Sequence, residues 1–594
     1  CCTIVLISHI AANQQASLNL NLTGECIFMS TLTIRPKLLS LIAGVAVILA
    51  MLPWTTLAST GPIIITGKIY TAEDANPVVE AVVVEAGKFS FVGSKEDALA
   101  HAPNASSLRD LGTDIAYPGF VEGHGHFASL GRALISLDLS TPKTFIGMVD
   151  QVAQATATTP ENEVILGRGW HQSKWSKAPS LTVDGFPTHR GLSEVSPNHP
   201  VVLEHANGHT LMLNAKAMSV LGINKLTTAP EGGVVVKDTR GMPTGILHET
   251  AMALAAPLTV FTAESATRAL LAAQDHAIKQ GITSFHDAGI DAVEVEAQQI
   301  VDGDQRLKIR LFSMISASDP ELTEYWLNTA PVVASEDSRL TLNAFKVVMD
   351  GALGSRTAWL HEPYSDDPTT VGLQTADAGR LATLMERSRV NGWQINTHAI
   401  GDRANSVVLD TIEQVMPEGG DHRFRIEHSQ HLRPDDIERF ERLGVIASIQ
   451  TIHLSSDRPW AIDRLGPERI DEGAYLWRSL IDSGVHVANG TDVPVEPINP
   501  IANFYAAVTR KTLAGLPSEG FEADQRMTRP EALLSLTQWN AYAVFMEETL
   551  GSISVGKAAD MTVLSQDIMT VNESVLLDTE VTMTVIGGEV LHEL

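Results

Sequence analysis

The stretch Tyr117-Pro118-Gly119-Phe120-Val121-Glu122-Gly123-His124-Gly125-His126 is an apolar run that ends in two histidines one residue apart. Along a β-strand the side chains alternate between faces, so residues two apart point the same way. Two imidazoles on one face at the end of a strand can bind one metal ion. A His-x-His pair also arises by chance in polar loops, so its meaning depends on what the rest of the chain supplies.

Four further segments carry ligand-type residues within or at the end of apolar runs. Asn343–Gly351 places Lys346 inside one. Trp393-Gln394-Ile395-Asn396-Thr397-His398 and Phe424-Arg425-Ile426-Glu427-His428 each end in a histidine. Gly484-Val485-His486-Val487-Ala488-Asn489-Gly490-Thr491-Asp492 ends in an aspartate, and His486 sits too early in that strand to join the others. The ordered set is His124, His126, Lys346, His398, His428 and Asp492. His398 and His428 are 428 − 398 = 30 residues apart, one strand–helix repeat of an α/β barrel. His428 and Asp492 are 492 − 428 = 64 apart, two such repeats. Strand ends recurring at this spacing converge on the carboxyl-terminal face of a barrel, where that fold keeps its catalytic residues.

With these motifs in hand, the chain resembles the amidohydrolase superfamily, and within it amidohydrolase family 3, which includes N-substituted formamide deformylases. The matching words are Asp350-Gly351-Ala352-Leu353-Gly354-Ser355-Arg356-Thr357-Ala358, His398-Ala399-Ile400-Gly401-Asp402-Arg403-Ala404, Arg425-Ile426-Glu427-His428, Gly490-Thr491-Asp492-Val493-Pro494-Val495 and Gly556-Lys557-Ala558-Ala559-Asp560. Glu122 departs from the pattern, since many relatives carry aspartate before the His-x-His pair. The resemblance implies a TIM-like (β/α)8 barrel with a small β-sandwich formed from both chain ends. It implies a divalent metal, zinc or a similar ion, in one or two copies. His124, His126, Lys346, His398, His428 and Asp492 would be its ligands, with Lys346 converted by CO₂ to a bridging carbamate. An ordinary lysine reaching solvent is the alternative for Lys346. Asp492 would also be the catalytic base that moves a proton from water to the leaving nitrogen.

Composition limits the alternatives. With 594 residues, one or two domains are expected. Apolar residues make up 44%, a globular composition. A formal charge of −28 argues against nucleic acid or an anionic membrane surface as partner. The partner read here is a small-molecule substrate, and a homo-oligomer stays open. Residues 1–58 read as a leader. Met29 opens a secretory signal, with Arg35 and Lys37 before the apolar run Leu38–Leu52 and small-residue cleavage chemistry at Thr56-Leu57-Ala58. The expectation is an exported protein, periplasmic or secreted, with no stable membrane span once the leader is cleaved; a retained anchor is the alternative. Cys1, Cys2 and Cys26 all precede Met29, so a mature chain cleaved after Ala58 is expected to have no disulfide and no cysteine-ligated zinc.

Residues 59–114 and 541–594 are rich in β-branched strands and glycine turns and are read as the two halves of the split β-sandwich. Between them, residues 115–540 alternate strand and helix, with Ala266–Gln280 as an amphipathic helix feeding the strand at Ile282. The long gap from His126 to Lys346 predicts an insertion at about 160–250. Weaker candidates for substrate contact are His209, Trp170 and Arg356. A satisfied structural histidine is an equal reading for His209, an aromatic such as Trp170 is more often core, and pairing with a carboxylate is the alternative for Arg356. The function read from this sequence is hydrolysis of a non-peptide C–N bond, a linear N-formyl or N-acyl amide. A cyclic-amide or ester/lactone hydrolase on the same scaffold is a second reading, and a non-catalytic binding or regulatory protein is a third.

Overall fold

A computed structural model describes residues 61–594, except residues 173, 174, 178, 180, 207, 208, 231, 232 and 336. The leader therefore lies outside the described residues. Residues 61–594 form one compact unit.

Its centre is an eight-stranded parallel sheet nearly closed into a barrel. The strands are β1 (Phe120–Gly125), β2 (Ile282–Ile290), β3 (Arg310–Ser316), β4 (Leu340–Val348), β5 (Gln394–Ala399), β6 (Arg425–His428), β7 (Ile446–Ile449) and β8 (Val487–Asn489). They are hydrogen-bonded in chain order from β1 to β8. Helices cover the outside, so the strands are buried on both faces and read as near-continuous apolar runs. Beyond the regular ladder, the chain after β8 closes onto β1: Asp492 N–H donates to His124 O and His126 N–H to Val493 O, both at 2.7 Å. Gly490 makes this approach feasible, because a Cβ there would lie 2.3 Å from the Glu122 carboxylate and from the His124 nitrogen.

The helix before β2 runs from Ala263 to Lys279. Thr262 caps it in a reciprocal pair with Ser265, and Ala266, Ala269, Leu270, Ala273 and Ala277 form its buried stripe. This small-residue face lets the helix pack closely against Phe127–Ile135.

Both chain ends build a single seven-stranded sheet, in the order Glu589–Glu593, Val581–Ile586, Met561–Leu564, Ser107–Pro118, Ile63–Tyr70, Val78–Glu85, Lys88–Gly93. The strand Ser107–Pro118 joins the halves, pairing parallel with Ile63–Tyr70 and antiparallel with Met561–Leu564. The edge strand Lys88–Gly93 comes round to the segment that leads into Met561–Leu564: Phe89 N–H donates to Lys557 O (3.0 Å) and Ala559 N–H to Gly87 O (2.9 Å). Ile65, Val82, Phe89, Met561, Val563 and Val585 fill the interior. The expected sandwich is thus one hydrogen-bonded sheet folded on itself, and its limits differ from those read in the sequence. The joining strand continues to Pro118, and Ala541, Val544 and Leu550 pack on Phe312 of the barrel instead.

The insertion lies between β1 and β2 as a six-stranded sheet. Its strands span Leu137–Asp138 to Pro243–Glu249, so it begins earlier than expected. The expectation missed the two-residue strand at Leu137 because so short an element carries no periodicity. Among the described residues no helix is long and apolar enough to cross a membrane.

Candidate metal centre

Four of the barrel strands deliver the site. β1 carries His124 near its end and His126 follows it, β4 carries Lys346, β5 carries His398, and β6 ends in His428. Asp492 follows β8. Together these six line one cavity of about 470 Å³. Nitrogen or oxygen atoms of His124, His428 and Asp492 all lie within 4.8 Å of one another, close enough to hold one ion. His126 Nε2 is 3.1 Å from Asp492 Oδ1, and Lys346 Nζ is 3.4 Å from His124 Nε2. His398 is turned outward from this cluster: its Nε2 lies 3.3 Å from both Gly351 O and Asp350 Oδ1, while its ring packs 4.4 Å from that of His428.

The backbone is strained where the ligand-type residues sit. His428 has φ +78°, Ser429 φ +42° and Asp492 φ +59°. Non-glycine residues in the left-handed region cost about 1–3 kcal/mol each and cluster at functional sites. Glu122 holds the turn that aims Asp492. It accepts from the Thr491 N–H (2.6 Å) and the Thr491 hydroxyl (2.7 Å), and burial pushes its carboxyl up to about 8. Glu122 therefore binds backbone and hydroxyl and is not part of the ligand cluster.

Each convergent imidazole is oriented by a second residue. The Nδ1 of His124 bonds the Glu427 carboxylate, and the Nδ1 of His428 bonds Gln450 Oε1 at 2.7 Å. Both arrangements leave Nε2 for an ion, the usual way a protein fixes a metal-binding tautomer. Glu427 is itself paired with Arg425 (2.7 Å), which also donates to Gly123 O and Ser448 Oγ and reaches His286 Nδ1 at 3.1 Å. Burial raises the Glu427 carboxyl, but the adjacent Arg425 and His124 overcome that and hold it well below the usual carboxylate range. Burial lowers Lys346, favouring the neutral amine. The donor set fits a divalent ion: two imidazoles held at Nδ1 by other residues, one carboxylate, and a further imidazole and amine within reach.

Three of the weaker candidates lie away from this cavity. Trp170 is wholly buried in the core of the insertion, its indole N–H donating to Leu203 O (3.1 Å), and it is not among the residues lining the cavity. His209 is exposed and pairs with Glu249 at 3.0 Å. Arg356 is bonded bidentately to Asp366 (3.0 and 2.9 Å) on the surface. His209 and Arg356 are likewise absent from the cavity lining. Asp402 and Arg403 organise the loop after β5, the carboxylate accepting from His361 N–H and the guanidinium lying over Trp359.

Sequence reasoning passed over Glu427, Arg425, Gln450, His453 and Trp460. A signal existed for the first pair: two charges alternating in the short, apolar strand Arg425–His428 must face the barrel interior. Gln450 directly follows β7, and His453 and Trp460 sit on the helix after it.

A barrel with ligand-type residues gathered at its strand ends defines a class, the metal-dependent hydrolases. Residues 108–592 match the model of the amidohydrolase family, and the chain belongs to that family. It is 31% identical over 535 residues to YtcJ of Bacillus subtilis (strain 168), covering 89% of this chain and 98% of that one. It is 26% identical over 543 residues to the N-substituted formamide deformylase of Arthrobacter pascens, again over 89% and 98%. An uncharacterized metal-dependent hydrolase from Pyrococcus horikoshii OT3 superposes with a TM-score of 0.69 at 27% identity, over 86% of this chain and 99% of that one.

Proposed function

We propose that the protein hydrolyses a linear, non-peptide amide, an N-formyl or N-acyl amine, using one or two divalent ions, zinc among them. The observation that carries this reading is the convergence of His124, His428 and Asp492 at one cavity. The similarity to a formamide deformylase supports the choice of bond. His124, His428 and Asp492 would hold the ion, with His126 and Lys346 adjacent. A divalent ion there supplies a Lewis acid that polarises the carbonyl and makes water more acidic.

The chain's own groups do the rest. Asp492 accepts the proton of the attacking water at Oδ1 and passes it to the leaving nitrogen. Although burial raises its carboxyl, the bond from His126 and the neighbouring imidazoles hold it well below the ordinary value, so it enters the reaction as a base. Glu427 and Gln450 keep the two imidazoles aimed. Burial lowers Lys346 and disfavours its ammonium form; its neutral amine would add CO₂, making an N–C bond and releasing one proton to give a carbamate. Export of the mature chain remains part of the proposal, checked by amino-terminal sequencing of the secreted or periplasmic protein.

The test is elemental mass spectrometry of the purified protein with bicarbonate present, followed by assays on N-formyl and N-acyl amines. Two equivalents of zinc with amide turnover support the reading with a carboxylated Lys346. One equivalent keeps the hydrolase and removes the carbamate. No bound metal after reconstitution, or no turnover of any amide, overturns it.

A further inference from the structure

A second cavity, of about 620 Å³, lies at the other end of the barrel. It is lined by Asn343 near the start of β4, by Trp393 and Gln394 at the start of β5, and by Phe424 just before β6. The same strands carry Lys346, His398 and His428 towards their far ends, and no residue lining this cavity lines the metal cavity. A volume of this order suits a small molecule.

The lining is aromatic and adaptable. Trp393 and Phe424 are both buried, and the indole N–H of Trp393 already donates to Thr329 O (3.2 Å), so this residue offers a ligand only its ring. His422 is committed in the same way: its Nε2 donates to Leu443 O (2.7 Å) and its Nδ1 accepts from the Phe424 N–H (2.8 Å). Met416 and Met546 add flexible thioethers, which mould to an aromatic partner. Phe545 also lines the cavity, with φ +63° and 43% of its surface exposed. A bulky residue in the left-handed region is strained, and an exposed phenyl ring forgoes the gain of burial. Arg423 lies over that ring, 4.5 Å from its centroid, and fixes it there. The fold thus keeps an apolar ring in water at the edge of an aromatic cavity, where the ring of a ligand would cover it.

Charge selects the other end of that ligand. Asp421 lines the cavity but is paired with Arg423, which also pairs with Glu547, both at 2.7 Å. Arg389, in the last turn of the helix Ala378–Asn391, lines the cavity too, and its guanidinium has neither an ion pair nor a hydrogen bond among the described residues. A guanidinium without a counterion beside aromatic surface complements a planar carboxylate, which it can bind through two parallel N–H groups.

We infer that this cavity binds a small aromatic carboxylate, with its ring against Trp393 and Phe545 and its carboxylate on Arg389, at a site separate from the metal centre. The inference does not rest on the amide-hydrolase reading, since no group of the metal centre takes part.

The experiment is calorimetric titration of the metal-loaded full-length protein with indole-3-propionate and with indole-3-propanol, which has the same ring and no charge. The carboxylate should bind saturably, and the alcohol at least about tenfold more weakly, as for loss of a charge-assisted hydrogen bond. Arg389→Gln should weaken the carboxylate by about tenfold and leave the alcohol unchanged. Phe545→Ala should weaken both by roughly fivefold or more, since it removes the covering ring. Both variants should keep the wild-type metal content and thermal unfolding midpoint to within a few degrees, which shows that the fold is intact. Absence of saturable binding at millimolar carboxylate overturns the inference, as does equal affinity for the alcohol. Wild-type affinity in either variant also overturns it. An affinity that disappears when a chelator removes the metal places the carboxylate at the metal centre and overturns it as well.

Discussion

The barrel interior and the curled sheet made from the chain ends are both fully buried, yet they are filled with opposite materials. The sheet holds Ile65, Val82, Met561 and Val585, groups whose burial stabilises by removing apolar area from water. The barrel holds Arg425, Glu427, His286, His124 and Lys346, groups that lose hydration and regain it only by pairing with one another. The first region is tolerant of volume-conserving change and carries stability. The second is stability-neutral at best, and its value is that it orients imidazoles. A residue in the barrel network should therefore affect chemistry and folding together, whereas a residue in the sheet should affect folding alone.

The strongest test of that contrast is Asp492→Asn. The amide keeps the shape and cannot take a proton, so turnover should fall by about a thousandfold, and thermal unfolding should move down as well, because the folded state stabilises the carboxylate that the substitution removes. Retained turnover would remove Asp492 from the chemistry. Next comes Glu427→Ala, which leaves Arg425 buried without its partner and His124 without its orienter. A stability loss of about 3–5 kcal/mol and a ten- to hundredfold weaker metal affinity should appear together, by denaturant titration and by competition with a chelator. The sign with pH follows from the depressed Glu427 carboxyl. Its contribution is complete above the unfolded value near 4.3 and is lost as pH falls, so wild type should lose stability on acidification more steeply than Glu427→Gln.

Met561→Ala breaks the comparison from the other side. Met561 is fully buried in the sheet, and its truncation should cost about 2–5 kcal/mol with kcat/KM unchanged at temperatures where the protein is folded. A fall in kcat/KM would mean that the sheet shapes the site. The smallest effect belongs to Arg356→Ala. Its pair with Asp366 is solvent-accessible, and Asp366 keeps Arg464, so under about 1 kcal/mol and no change in kcat/KM are expected from the same two measurements.

These regions were unequally legible. The alternating strands of both ends and the strand-end histidines stand out because periodicity and position report which face and which end of an element a residue occupies. Trp170 and His209 lie in the insertion, whose strands pair with each other in an order no local pattern shows. Their chemistry looked site-like, but their sheet places one in a core and the other on a surface. His453 carried no signal because a histidine in the first turn of a helix reads as ordinary until the helix is docked.

By itself the amino-acid sequence determined the barrel class, the contribution of both ends to one β unit, and the positions of His124, His126, Lys346, His398, His428 and Asp492 at or near strand ends. Only the tertiary structure decided which of these converge. Closure of the chain after β8 onto β1 brings Asp492 to His124 and His126, whereas Asp350 and Gly351 hold His398 Nε2 at the side. The same closure brings Glu427 behind His124, while the neighbouring β6 and β7 put Gln450 behind His428 and the helix after β7 carries His453 to the cavity. The physical reason is range. Spacing along the chain specifies a face, while the direction of a ring nitrogen depends on partners 22 to 303 residues away.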